Sequence, residues 1–325
     1  MSIITVLGAT GSQGGSVCTA LQDNPHWKVR AVTRNPASNA SKKLLEKGIE
    51  VVAADANDEA SLHEAFRVQD EQTASPLKPK LIRFTGVVMK KGREAAGEEE
   101  KQQQINIAKA AAQTPGLKHY IMSSLPAASL SSNGKLPVPH FDYKHAAFQW
   151  IEEHAPELAA KTTRVWLGWY PSNMAFNAMM KFVHLPGPDT YAWIQPSKED
   201  AVLPIAGDVQ HNVGVVVESI LEDGPRSFGR IAIIITDYLK LSDVVKVWES
   251  VTGKRGVYIE VSDKTTEKIW GVGGLEIASQ LRWSEEFPDW HKLEPERVIS
   301  LEGLGVQGKV RNFKQALESV KENLI

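Results

Sequence analysis

Cysteine is almost missing: Cys18 is the single thiol among 325 residues. An internal disulfide framework is therefore excluded, and no Cys/His cluster at metal-ligand spacing takes its place. Positive charge is not in excess. Thirty-seven Lys and Arg face 39 Asp and Glu, for a formal net charge of -2, which leaves no basic field for nucleic acid or an anionic membrane surface. Long apolar runs are also missing, since nothing approaches the roughly 20 residues of a membrane span. The opening MSIITVLGATG lacks the basic flank and apolar stretch of a signal peptide. These absences predict a cytoplasmic chain with no nucleic-acid and no membrane partner. What is present, 42% hydrophobic and 23% charged residues, is ordinary for a soluble domain with a sizeable core.

The first half alternates strand and helix patterns. Ile3 to Leu7 is a β-branched run ending at Gly8, and Val17, Ala20 and Leu21 after it share one helix face. Strand patterns recur at Lys28–Thr33, Gly48–Ala54, Lys80–Phe84 and Lys118–Ser123. Helix patterns lie at Ser41–Lys47, after an expected N-cap at Asp58, and over Arg93–Gln113. In the last of these, acids come early (Glu94, Glu98, Glu99, Glu100) and Lys109 late, which suits the helix dipole. Near-continuous apolar strands alternating with helices predict an α/β fold, a Rossmann-type doubly wound parallel sheet.

The second half is less regular, and seven of the nine tryptophans fall beyond residue 160. Two further strands are expected at Thr162–Leu167 and Arg230–Thr236. The division that follows is a cofactor domain over 1–168, joined by a later strand near 229–236, and a smaller mixed C-terminal substrate lobe over 169–325.

The strongest motif is Gly8-Ala9-Thr10-Gly11-Ser12-Gln13-Gly14-Gly15, directly after the first strand. Early glycines permit a tight turn with no Cβ between backbone and pyrophosphate. The later glycine lets the helix pack closely, and free N–H groups of the first helical turn face the phosphates. Gly8, Thr10, Gly11, Ser12, Gln13 and Gly14 are therefore candidate cofactor-binding residues. No Gly-Lys-Ser/Thr follows at the offset of a phosphate-loop NTPase. Past the loop, strand two ends Thr33-Arg34-Asn35 with no acid for a ribose 2′-hydroxyl. Arg34 suits a 2′-phosphate instead, so NADP(H) is expected over NAD(H). Lys42 and Lys43 either reinforce that site or form a solvated helix face. Asp55, ending strand three, can reach an adenine amino group or serve as a turn residue. Thr85-Gly86-Val87 ends strand four at the edge where such sheets bind ligands.

TVLGATGSQGGSV, VTRNP, VVAADANDEASL and PHFDYKHAAFQWI together resemble the NmrA-like branch of the atypical short-chain dehydrogenase/reductases, whose relatives include isoflavone reductases. The resemblance runs to about residue 175 and is sparser beyond, at Trp169-Tyr170-Pro171-Ser172-Asn173 and Ile205-Ala206-Gly207-Asp208. It implies a Rossmann domain for NADP(H), a small lobe closing a substrate cleft, and Asn173 among the cofactor contacts. Members of the family include both reductases and NADP(H)-sensing regulators that bind protein partners.

Short-chain dehydrogenases supply a proton through Tyr-x-x-x-Lys. Here Lys144 matches the lysine, but the residue four before it is His140. Tyr143 is adjacent to Lys144, about 100 degrees away around a helix. Three readings follow: Lys144 is itself the acid/base, His140 donates the proton, or Lys144 only contacts cofactor and the protein is catalytically silent. Ser123 and Ser124 stand where the superfamily orients its substrate. Trp166, Trp169, Tyr170, Phe176 and Trp193 either line a flat substrate or pack as core. The expected function is NADPH-dependent reduction of a small aromatic or polyketide-like carbonyl or enone compound, with a silent NADP(H) sensor bound to a protein partner as the alternative.

Overall fold

A computed structural model describes residues 2–67, 72–75 (backbone), 87–187 and 189–325. Eight strands form one parallel sheet: β1 (Ser2–Leu7), β2 (Trp27–Thr33), β3 (Glu50–Ala53), β4 (Gln72–Ser75), β5 (Tyr120–Ser124), β6 (Thr162–Leu167), and later β10 (Ile231–Ile234) and β13 (Val298–Ile299). Their spatial order is β13-β10-β6-β5-β4-β1-β2-β3. The chain lays β2 and β3 on one side of β1, then returns to place β4 on the other. Helices leave in opposite directions at that reversal and open a crevice beyond the strand ends. The glycine-rich turn after β1 lies at its mouth.

Both sheet faces are covered, so the central strands carry apolar side chains on successive residues rather than in alternation. On one face α1 (Ser12–Leu21) packs against a helix of the second half, Val209–Asp223, through Val17, Cys18, Leu21, Val213 and Val217. The two backbones come close because Gly214 has no side chain; its N–H donates to Ser16 Oγ at 2.8 Å. Beside α1 on the same face lies α2 (Asn39–Glu46), whose Leu44 joins that cluster, and on the other face lie α3 (Glu59–Phe66), α4 (Arg93–Ala112) and α5 (Pro139–His154). Leu62, Ile107, Ala108, Ala147 and Ile151 form the core there. Asp58 caps α3, its carboxylate accepting from the N–H groups of Ala60 and Ser61.

The rest of the chain builds a lobe with small sheets of its own. Strand β8 (Thr190–Gln195) pairs parallel with β12 (Arg255–Glu260) and antiparallel with β7 (Val183–His184). Strands β9 (Val202–Ile205) and β11 (Asp237–Lys240) form an antiparallel pair. With the Val209–Asp223 helix as α6, α7 is Leu241–Thr252 and α8 is Asp263–Glu286, kinked at Gly271, where φ is 63°. No described helix is long and apolar enough to cross a membrane, and no described group of His, Cys, Asp and Glu could hold a metal ion.

The fourth strand expected at 80–84 lies outside the described residues; the described β4 is Gln72–Ser75, a polar tetrapeptide with no apolar run to mark it. The aromatic wall is mostly core. Trp166 packs with Phe141, Trp283 and Trp290, while Trp193 stacks on Phe182, which stacks in turn on Trp248 at 3.9 Å between ring centroids. Fused apolar rings lose most by staying wet, so they fill the interior.

Candidate cofactor and active site

The turn after β1 is closed by Gly11 N–H donating to Gly8 C=O at 2.8 Å, with Gly8 at φ 66°. A Cβ on Gly14 would stand 2.5 Å from Gly8 O and 2.9 Å from Ala9 Cα, so only glycine permits this approach of helix to turn. Gly11 is the N-cap of α1 and contributes no side-chain cap. The first-turn N–H groups are left for water or a ligand.

Two cavities open beside this turn. The larger, about 310 Å³, runs from Gly8 and Thr10 past Arg34, Asn35 and Ser38 to Ala54, Ala56 and Gln103. Arg34 is exposed at its rim, whereas Lys42 and Lys43 are exposed outside it. Val87 belongs to the lining; Thr85 and Gly86 lie outside the described residues. Asp55 is not part of the wall. Its carboxylate accepts from the backbone and side-chain N–H groups of Asn57 at 2.9 and 3.0 Å, a turn role that leaves its neighbours Ala54 and Ala56 facing the cavity.

The smaller cavity, about 60 Å³, is lined by Gln13, Ser123, Ser124, His140, Lys144 and Asn173, with Trp169, Tyr170 and Gln280 from beyond β6. Glu100 of α4 lines both cavities. Gly11 and Ser12 line neither, and Gly14 packs against the back of the turn. Trp169 and Tyr170 are thus the two members of the expected aromatic wall that reach the cavity. Tyr170 OH accepts from Gln13 Nε2 at 2.5 Å, and burial raises its pKa, holding the phenol neutral. Three buried polar atoms of this wall find no partner among the described residues: Gln13 Oε1, Ser124 Oγ and Asn173 Nδ2. A buried donor or acceptor left unpaired costs about 1–3 kcal/mol, so such a set marks a place for a polar ligand group.

Lys144 projects from α5 to Glu100, with Nζ 2.6 Å from Oε2 and 3.3 Å from the His140 carbonyl. His140, at the first turn of the same helix, is held from the lobe. Its Nδ1 lies 2.5 Å from Glu276 Oε1, which also accepts the His140 backbone N–H at 3.0 Å. Arg93 donates to the other Glu276 oxygen at 2.6 Å. Burial alone would raise the Glu276 pKa, but the hydrogen bonds and charges of His140 and Arg93 outweigh it and hold the carboxyl at about 2. Tyr143 points elsewhere, its OH donating to Glu94, and that hydrogen bond with partial burial pushes its pKa up to about 12. The described site therefore has no Tyr–Lys dyad.

Sequence reasoning did not find Glu100, Glu276 or Gln280. Glu100 sits in an acidic run whose members look alike until α4 and α5 pack together. Glu276 did leave a trace: it shares the buried face of α8 with Ile277, Gln280 and Leu281, and a carboxylate on an apolar face needs a partner.

The sequence pattern of the NmrA-like family matches residues 1–306. The NmrA-like family domain-containing oxidoreductase FrzB of a Cladobotryum species is 29% identical over 273 residues, covering 79% of this chain and 75% of that protein. The himF oxidoreductase of Aspergillus japonicus is 28% identical, covering 88% and 86%. Among solved structures, the negative transcriptional regulator NmrA in complex with NADP superposes with a TM-score of 0.74 at 22% identity, over 99% of this chain and 96% of that one. The Vitis vinifera leucoanthocyanidin reductase–NADPH complex gives 0.70 at 13% identity, over 99% of both. Crevice, glycine turn and a sequence match over nearly the whole length agree: the chain belongs to the NmrA-like family.

Proposed function

We propose that this chain is an NADPH-dependent reductase of a small aromatic or polyketide-like carbonyl or enone compound. The observation that carries the reading is the smaller cavity: one helix supplies both His140 and Lys144 to it, beside three unpaired buried polar atoms. Oxidoreductase relatives and NADP(H)-bound structural neighbours support it.

The residues suit the cofactor. The cradle at Gly14 tolerates no Cβ, Arg34 at the rim of the larger cavity suits a 2′-phosphate, and Gln13, Ser124 and Asn173 offer the acceptor and donors that a carboxamide needs. When bound, the reduced nicotinamide supplies a hydride. Lys144 holds the adjoining ribose, and Glu100 fixes the Lys144 ammonium there. His140 gives its proton to the substrate oxygen, and Ser123 orients that oxygen. Trp169 and Tyr170 form the aromatic side of the substrate space.

Purified protein with NADPH and a panel including 4-nitrobenzaldehyde and benzylideneacetone tests this. Turnover that disappears in both Lys144→Ala and His140→Ala supports the reading; turnover no faster than in those variants overturns it. The 60 Å³ volume is well under the roughly 300 Å³ of ordinary ligand pockets, which favours a second reading, a silent NADP(H) sensor. For that reading, a protein partner is retained or released according to NADP(H) occupancy.

A further inference from the structure

We propose that Glu276, backed by Arg93, is a positioning residue that fixes the ring and the tautomer of His140. The inference rests on the proton-donor role given to His140 above and adds the group that makes that role possible.

Four contacts carry it. Glu276 Oε1 engages His140 twice, at the ring Nδ1 (2.5 Å) and at the backbone N–H (3.0 Å). The backbone bond satisfies an N–H in the first turn of α5, where no intrahelical acceptor exists. Its companion bond stops rotation of the imidazole about χ2. Glu276 Oε2 accepts from Arg93 Nε at 2.6 Å, and Arg93 also donates from Nη2 to Ser279 Oγ at 2.9 Å, one turn along α8. The first Arg93 bond holds the carboxylate, and the second anchors the guanidinium that makes it. The His140 and Glu276 side chains are 4% and 2% exposed, so bulk water does not compete for this contact.

An ionised carboxylate at Nδ1 accepts a proton from it, so Nδ1 stays protonated in both charge states of the ring. Nε2 is then the atom through which a proton passes. The step balances: hydride adds to the carbonyl carbon, the C=O π pair moves to oxygen, and the proton leaves imidazolium Nε2 for that oxygen. Products are the alcohol, oxidised cofactor and a neutral imidazole still donating Nδ1–H to Glu276; water returns the proton later. Other charges near His140 include Lys144, whose Nζ meets the His140 carbonyl at 3.3 Å, and Glu100, which pairs with Lys144. Glu276 comes from the lobe, whereas His140 and Arg93 come from helices covering the main sheet. The donor geometry therefore depends on the two parts being docked.

Long-range 1H–15N spectra of His-labelled protein, with and without NADPH, test this. The His140 signals are assigned by their loss in His140→Gln. In the wild type, Nδ1 is expected to keep its proton across the titration while Nε2 alone changes; in Glu276→Ala that asymmetry disappears. With benzylideneacetone and NADPH, Glu276→Gln is expected to lower kcat by about 10–100-fold, part of the usual worth of a general acid, with KM for NADPH unchanged. Glu276→Asp is expected to restore the Nδ1–H pattern and part of kcat. A wild type carrying its proton on Nε2 alone, or an undiminished kcat in a folded Glu276→Gln, overturns the inference while an inactive His140→Ala leaves the donor assignment standing. An active His140→Ala overturns the donor assignment itself, and this inference with it.

Discussion

Lys144 and Glu100, 44 residues apart in sequence, meet with Nζ 2.6 Å from Oε2, and their side chains are only 14% and 18% exposed. At that burial, removing one member alone costs more than removing both, because the remaining partly buried charge loses its ion-pair partner. Lys144→Ala is expected to destabilise by about 1–3 kcal/mol, less than for a fully buried pair because water still reaches both groups. Lys144→Ala/Glu100→Gln should recover at least half of that loss. Urea denaturation of the three proteins measures it; a double variant no more stable than the single one would show that Glu100 finds another partner.

Gly14 and Gly15 are neighbours with different constraints. A Cβ at Gly14 meets three backbone atoms between 2.5 and 2.9 Å, whereas the nearest neighbour of one at Gly15 is Ala9 O at 3.3 Å. Gly14→Ala should cost about 1–3 kcal/mol of stability as the turn is forced open, and weaken NADPH binding by calorimetry. Gly15→Ala should change both much less. Equal effects would mean that the turn is not closed as described.

Arg34 at the rim of the larger cavity is expected to discriminate between cofactors. A charge-assisted contact to a 2′-phosphate is worth about 1.5–3 kcal/mol. Arg34→Ala should therefore weaken NADPH binding by about 10–100-fold and leave NADH binding nearly unchanged. Parallel titrations with the two cofactors give the answer, and equal losses would remove the NADP(H) preference.

His119 confers an acid sensitivity of stability. Burial lowers its pKa from 6.5 to about 4, and its Nε2 meets Thr163 Oγ1 at 2.7 Å. The folded state thus stays deprotonated while the unfolded chain takes up a proton near pH 6.5. Below that pH the unfolded state binds more protons, so stability falls from pH 6.5 and levels off near pH 4. The loss is of order 3 kcal/mol. In His119→Gln, denaturation midpoints should vary less across that window; an unchanged slope would place the sensitivity elsewhere.

How far the site could be read in advance varies with the origin of each residue. The glycine turn was legible because its chemistry is local: a strand end, a positive φ at Gly8 and a Cβ-free approach at Gly14 lie within seven residues. Lys144 and His140 were legible because one helical turn separates them, and Tyr143 was set aside on the same helical geometry. Asp55 carried two readings, and the neighbour Asn57 took its carboxylate. Strand β4 was invisible, since Gln72–Ser75 shows neither apolar run nor alternation.

Apolar periodicity and the glycine spacing were enough to specify a parallel sheet covered on both faces with a tight glycine turn at its first strand. Those properties are encoded in neighbours along the chain. The partners of the two central side chains could not be specified that way. Glu100 was one acid among several, and Glu276 lies 136 residues from His140. Which carboxylate reaches which base follows from how α4, α5 and α8 dock, and docking is set by side-chain packing over the whole core.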